Sequence, residues 1–286
     1  MLSILNSVSA LQAEDAISNT TNALNTNLQE LSTGLRINSG SEDAAGLSIA
    51  NGLQANIAAL TQSTNNASDG VGILQTADGA LSQVTTLLDT AMTLATEASN
   101  GGLSTAQSSA LDSQYASIQA EIDNIGLTTN FNGTAVFGSS GTVFTTDGTS
   151  GGSSNTSIAV GALSSSGTGG LGLTSDYTLS GGVITAGGIL DTTAGAQTEV
   201  ASISAAISQV AAERGTLGAT VNQLDASEGV ETTAVTNLTS AMNNIQNADV
   251  GQTVAQMTQN SILEQTGMAA LSQSNSIEQN VLKLLQ

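Results

Sequence analysis

Apolar residues recur at alternating three- and four-residue steps over two long stretches of this chain, Leu53–Ala95 and Val200–Ile245. Such spacing keeps one face of a helix apolar, and sustained over many turns it is the seam of a coiled coil or long bundle. The first stretch predicts a helix starting at Ser41 or Glu42, where Ser41 can cap and Glu42 and Asp43 suit the positive helix end. Its register runs through Leu53, Ile57, Leu60, Thr64, Ala67, Val71, Leu74, Asp78, Leu81, Thr85, Leu88, Met92 and Ala95, and Asn100-Gly-Gly102 stops it. A third helix places Leu111, Tyr115, Ile118, Ile122 and Ile125 on one face and ends at Gly126. The C-terminal seam carries Val200, Ile203, Ile207, Val210, Arg214, Leu217, Val221 and Leu224. It passes through Glu228 and Glu231, a solvated or register-setting stretch, and resumes at Val235, Leu238, Met242 and Ile245.

Weaker helical patterns occupy both ends. From Ser3 to about Ile37 the stripe Leu24, Leu28, Leu31 and Leu35 is narrow and flanked by Asn and Thr, so this helix is marginal alone in water. Gly34 interrupts it, and Ile37–Ser41 reads as a break. After Asn247-Ala-Asp249 the phase slips, which predicts a joint. A final helix from Val250 to Leu285 then carries Val254, Met257, Ile262, Met268, Leu271 and Ile277, followed by Val281, Leu284 and Leu285. Two seams from the N-terminal half and one from the C-terminal half can bury one another. The first and last helices remain as a second pair that needs neighbours, so the chain ends are expected to lie together with the middle projecting from the opposite end.

Between the seams the pattern loosens. Thr128–Thr146 alternates weakly and reads as hairpin strands around Asn132-Gly133 and further glycine turns. Further on, Gly, Ser and Thr dominate. Short apolar pieces survive at Ile158–Val160, Leu171–Leu173, Tyr177–Leu179, Val183–Ile184 and Ile189–Leu190, and they predict a small β-rich module. The expected class is therefore mainly α, a long-helix coiled-coil bundle formed by both chain ends, with a β-hairpin and a Gly/Ser/Thr-rich outer module. The expected layout is a terminal helix over 1–40 paired with 248–286, bundle plus hairpin over 41–138, an exposed module over 139–197, and the C-terminal bundle helix over 198–247.

Composition narrows the function classes. Aromatics make up 2% of the chain and proline is absent, which suits thin bundles of long helices more than a compact aromatic core. Arg36, Arg214 and Lys283 face 23 acidic residues, for a net charge of -20. Nucleic-acid binding needs clustered cations, and anionic membrane surfaces select for them too, so neither partner is expected. No stretch approaches about twenty consecutive apolar residues, and the N-terminus lacks the basic start of a signal peptide. Without His or Cys, and with one Lys followed by Leu284, no metal centre, thiol nucleophile or phosphate-binding loop is expected. The carboxylates of the loose region, Asp147, Asp176 and Asp191, lack an aromatic sugar platform and read as solubilising charge. No catalytic residue, cofactor or metal is expected, and the middle carries no calcium-loop pattern.

Several blocks resemble bacterial flagellins. They are Glu30–Ser39 (Glu-Leu-Ser-Thr-Gly-Leu-Arg-Ile-Asn-Ser), Glu42–Ala50 (Glu-Asp-Ala-Ala-Gly-Leu-Ser-Ile-Ala), Leu74–Leu81 and Asn130–Gly133 in the first half. In the second half they are Arg214–Ala219 with Asn222–Leu224, Ile245–Asp249 and Gln279–Leu285. The match covers about residues 1–138 and 198–286. The resemblance implies a structural subunit of a motility filament that is exported unfolded through the flagellum's own channel and is extracellular. It implies a homopolymer, with an export chaperone at the C-terminal helix and contacts to filament cap and hook-junction proteins. By the same resemblance, assembly contacts are expected at Leu24, Leu28, Leu31, Leu35, Arg36, Ile37, Asp43, Met257, Ile262, Leu271, Val281, Leu284 and Leu285.

Two cations have alternative readings. Arg36 either sits solvated near a helix C-terminus or, as its place in the family motif implies, makes an intersubunit pair. Arg214 occupies a seam position, where the stem lying along the bundle is the preferred reading and a pair with Asp78 the alternative. In related flagellins an Arg-bearing helix face is bound by a vertebrate innate immune receptor. The aligned run Leu88–Thr96 has no Arg, so weak or no recognition is expected. Subunits of this charge repel across a Debye length of about 8 Å, so salt or mild acid should promote assembly. A hook–filament junction protein and an acidic calcium-binding or adhesive surface protein are the rival functions.

Overall fold

The seams fold as uninterrupted helices. Residues 8–146, 153–165, 170–174, 177–180 and 183–284 are described in the computed structural model of the chain. Ser3–Ser7, Asp147, Asp176 and Leu285 lie outside them. The helices are α1 (Val8–Thr33), α2 (Ala44–Ala98), α3 (Thr105–Thr128), α4 (Thr193–Gln246) and α5 (Val250–Leu284). Antiparallel pairs are formed by β1 (Asn130–Phe131) with β2 (Thr134–Ala135), β3 (Ser140–Thr146) with β4 (Ser153–Ala159), and β5 (Tyr177–Ser180) with β6 (Val183–Ala186). The fold is mainly α. It divides into two compact units, Met1–Ile57 with Thr236–Gln286, and Ala58–Val235.

In the larger unit, α2, α3 and α4 share one apolar core. On α2, the heptad row Leu60, Ala67, Leu74, Leu81, Leu88 and Ala95 is buried, as its spacing predicts. The second buried row is not Thr64, Val71, Asp78, Thr85 and Met92, which are only half-buried. It is Ser63, Gly70, Ala77, Val84, Ala91 and Ala98. The small residues admit close neighbours: a Cβ on Gly70 would come within 2.6 Å of Val143 in β3 and 3.2 Å of Leu224 in α4. On α4, Ile203, Val210, Leu217, Leu224 and Glu231 form the matching buried row. α3 runs to Thr128, past the expected stop at Gly126, whose missing Cβ lets the Leu163 carbonyl approach.

Polar groups in this unit depart from the sequence reading. Arg214 does not simply lay its stem along the seam: its guanidinium grips Asp78 with two hydrogen bonds, of 2.7 and 3.2 Å. The Asp78 carboxylate, by accepting these bonds, holds the guanidinium proton more firmly than usual. Both side chains are more than a third exposed, so a double-mutant cycle between Arg214→Ala and Asp78→Ala should return a coupling of only about 0.2–1 kcal/mol. Zero coupling would remove the pair as a stabilising contact. Glu231 is buried rather than solvated, because the Ser63 and Thr64 hydroxyls donate to it at 2.7 and 3.3 Å.

The loose middle belongs to this core more than its composition suggests. Val143, Ile158, Val160, Leu163, Leu171, Leu173 and Leu190 are buried in the same apolar cluster as the helices. Between these plugs, helix carboxylates take up main-chain donors. Asp112 accepts the N–H groups of Gly188 and Leu190, both at 2.8 Å. Asp123 accepts Ser165 N–H at 2.5 Å, Glu199 accepts Thr174 N–H at 3.3 Å and Glu213 accepts Gly161 N–H at 3.1 Å. Buried backbone donors such as those of Ser165 and Leu190 must find acceptors, and α3 supplies them. α4 does the same for the more open Thr174 and Gly161. The Tyr115 hydroxyl also donates to Glu199, which ties α3 to α4.

Candidate assembly surface

The smaller unit holds the terminal helices and the joint beside them. α1 ends at Gly34, which takes φ +72° and returns its N–H to the Glu30 carbonyl at 2.8 Å. That left-handed closure suits glycine. Leu35 then bridges antiparallel to Asn247, Arg36 N–H donates to Gln246 at 2.7 Å, and Ala248 N–H donates to Gly34 at 3.0 Å. The Arg36 guanidinium adds a 2.7 Å bond to the Ile245 carbonyl, placing a cation on the negative end of α4. Arg36 is thus occupied within its own chain through one nitrogen, while its side chain stays exposed.

The turn into α2 is built differently from expectation. Asp43, not Ser41, caps the helix, its carboxylate accepting Gly46 N–H at 2.8 Å. Ser41 instead meets the Ser39 hydroxyl. Glu42 accepts the N–H groups of Asn38 and Ser39 at 2.7 and 3.2 Å. Chiefly the Asn38 bond, then those from Ser39, hold the Glu42 carboxyl below its usual value of 4.5. A depressed carboxylate stabilises the fold above its ordinary value and loses that contribution as the pH falls through the lowered one. Protection of the Asn38 amide, taken relative to its intrinsic exchange rate, should therefore fall on acidification below pH 4.5, and Glu42→Gln should flatten that profile. An unchanged acid profile in the variant would count against this role.

The helix pair buries few side chains fully and leaves much apolar surface exposed. α1 and α5 run antiparallel: the Thr253 hydroxyl donates to Glu30 at 3.3 Å, and Gly267 sits where a Cβ would meet Ile17 at 2.8 Å. Among the described residues of the two helices, only Asn27 and Thr253 are buried. Asn27 has a buried amide nitrogen with no partner. By contrast, Val8, Leu11, Leu28, Val250, Val254, Ile262, Leu263, Met268 and Ile277 are exposed by 42% or more. A folded helix pair normally keeps large apolar side chains off its outer surface.

The residues expected at contacts fall into distinct places. Leu28 and Ile262 face solvent; Leu24, Leu31, Leu35, Met257 and Leu271 are half-buried. Ile37 is buried beside Gly46, and Asp43 is the exposed cap. Val281 and Leu284 are helical, and Leu285 lies outside the described residues. Sequence reasoning missed Val8, Leu11, Val250 and Leu263 on the exposed face and Asn27 in the seam. The available signal was α5 itself, whose apolar residues never settle into one stripe. Among the described residues no three metal-ligating side chains cluster, and no helix is long and apolar enough to cross a membrane.

Comparison with known proteins points the same way as these surfaces. Residues 4–142 match the bacterial flagellin N-terminal helical region, and residues 200–285 match the bacterial flagellin C-terminal helical region. A flagellin of Bacillus subtilis is 30% identical over 309 residues, covering 99% of both chains. The B-type flagellin of Pseudomonas aeruginosa is 42% identical over 132 residues, which span 46% of this chain and 27% of that one. The chain likewise spans only 35% of the polar flagellin F of Vibrio parahaemolyticus. A crystal structure of Bacillus cereus flagellin aligns over 58% of this chain and 88% of that one, at 26% identity and a TM-score of 0.45. With both helical regions matched in order and a relative aligned from end to end, the chain belongs to the bacterial flagellin family.

Proposed function

We propose that this chain polymerises with copies of itself into the flagellar filament, and that the terminal helix pair is the principal contact. Membership of a family of filament structural proteins, not enzymes, supports the first part. The observation that carries the second is the exposed apolar surface of the helix pair, with Ile262, Leu263, Met268 and Ile277 outside. Exposed apolar groups at this density mark interaction surfaces. Because the partner is another copy carrying the same charge of -20, the contact must rest on apolar and neutral polar groups, and salt should speed growth.

The finer reading follows the family. The chain leaves the cell unfolded through the flagellar channel and acts outside it. A chaperone covers α5 before export, and cap and hook-junction proteins meet the assembling subunit. Arg36 uses its remaining guanidinium donors between subunits. The α2 run Leu88–Thr96, lacking Arg, is a poor ligand for the vertebrate receptor, and a potent reporter-cell response would refute that point. Electron microscopy of the purified chain after salt addition tests the main reading. Long filaments are expected, whereas short or absent polymers would favour a hook–filament junction protein.

A further inference from the structure

We propose that Asn100–Gly101 is a self-modification site, at which the chain slowly converts Asn100 to aspartate or isoaspartate without an enzyme. The chain contains three Asn-Gly pairs, at 51–52, 100–101 and 132–133. Their sequences alone make them equally reactive, since glycine leaves the following nitrogen unshielded in each. The fold separates them. Asn51 and Gly52 lie within α2, where the glycine nitrogen is committed to the helix ladder. Asn132 and Gly133 form the turn of the β1–β2 hairpin, with φ +50° and +79°, locked between the paired residues Phe131 and Thr134.

Asn100 is placed otherwise. It is exposed, one residue past the last backbone bond that closes α2, Ser99 N–H to the Ala95 carbonyl. Its own N–H donates to Glu97 at 3.1 Å. Gly101 is exposed, has nothing within 4 Å of its absent Cβ, and its N–H has no backbone acceptor among the described residues. The Asn100 amide oxygen leans over the chain that follows, 3.7 Å from where a Cβ of Gly102 would stand. The pair thus lies in an exposed loop, with the attacking glycine nitrogen held by no ladder bond.

The Gly101 nitrogen, losing its proton to solvent, bonds to Cγ of Asn100. The bond from Cγ to Nδ2 breaks, and ammonia leaves carrying a proton from water. The resulting five-membered succinimide then takes up one water molecule. Opening at one carbonyl leaves aspartate, and opening at the other leaves isoaspartate, which routes the main chain through an extra methylene. Either product adds one negative charge just beyond the carbonyl end of α2, where the helix dipole disfavours an anion. The α2–α3 corner thus gains charge and slack with age.

The test is incubation of the purified full chain, as subunit and as filament, at mildly alkaline pH, followed by digestion at glutamate and tandem mass spectrometry. Cleavage after Glu97 and Glu121 releases a fragment in which Asn100 is the only asparagine. The expected result is the mass gain of deamidation at Asn100, about tenfold or more faster than at Asn51 and Asn132, equivalent to about 1.4 kcal/mol in activation free energy. In denaturant the three sites should converge, and Gly101→Val should suppress the reaction at Asn100 with an unchanged circular dichroism spectrum. Equal conversion at all three sites in the folded chain would overturn the proposal. So would an unmodified Asn100 after the denatured control has reacted.

Discussion

Filament growth is expected to fail when Ile262 and Met268 are both replaced by serine, with the soluble subunit left folded. The two side chains are 56% and 50% exposed in the single chain, so they contribute little to its own stability. Buried against a neighbour, each would gain part of the roughly 1.5–3 kcal/mol that full burial of such a side chain provides. Losing about 3 kcal/mol per subunit for the pair raises the critical concentration by about a hundredfold. Sedimentation of polymer across a concentration series measures this directly, and circular dichroism of the supernatant checks the fold. Growth at the parental critical concentration would show that these two positions of α5 stay wet in the filament.

Asp112→Ala should produce the second large effect, this time on the single chain. The carboxylate is 2% exposed and is the acceptor for two main-chain donors, at Gly188 and at the fully buried Leu190. Truncation strands both donors, at about 1–3 kcal/mol each. For a unit of this size each kcal/mol is worth roughly 2–4 °C in the unfolding midpoint, so calorimetry should register a fall of about 5–20 °C. Asp112→Asn keeps a carbonyl acceptor and should recover much of the loss. A truncated variant that melts with the parent would mean the loop finds other acceptors.

What the sequence disclosed was periodicity, and it disclosed half of each seam. Leu60, Leu74, Leu81 and Leu88 announce their row because they are large and apolar. The partner row of Ser63, Gly70, Ala77 and Ala91 is silent to a hydrophobicity reading, since its role is to be small. Joint positions at Gly34 and 247–249 were legible from phase slips and turn residues. The terminal helix pair was only half legible. The stripe from Leu24 to Leu35 suggested an inward face, yet Asn27 occupies the seam and Leu28 points out. A helix shaped by neighbours in a polymer need not carry a pattern that satisfies a single chain.

The anchors of the middle were invisible for a different reason. Asp112, Asp123, Glu199 and Glu213 bind backbone N–H groups, and every residue but proline has one to offer. No sequence motif can mark a partner that nearly any residue could be.

That same fact sets what the segment can become. Side chains at Gly161 and Thr174 can be exchanged without losing the grip on the backbone, so long as neither becomes proline, a residue the whole chain lacks. Selection acting on the outer face of this stretch can therefore rewrite its letters while its path stays put. The acids on α3 and α4 are the part that mutation cannot spare.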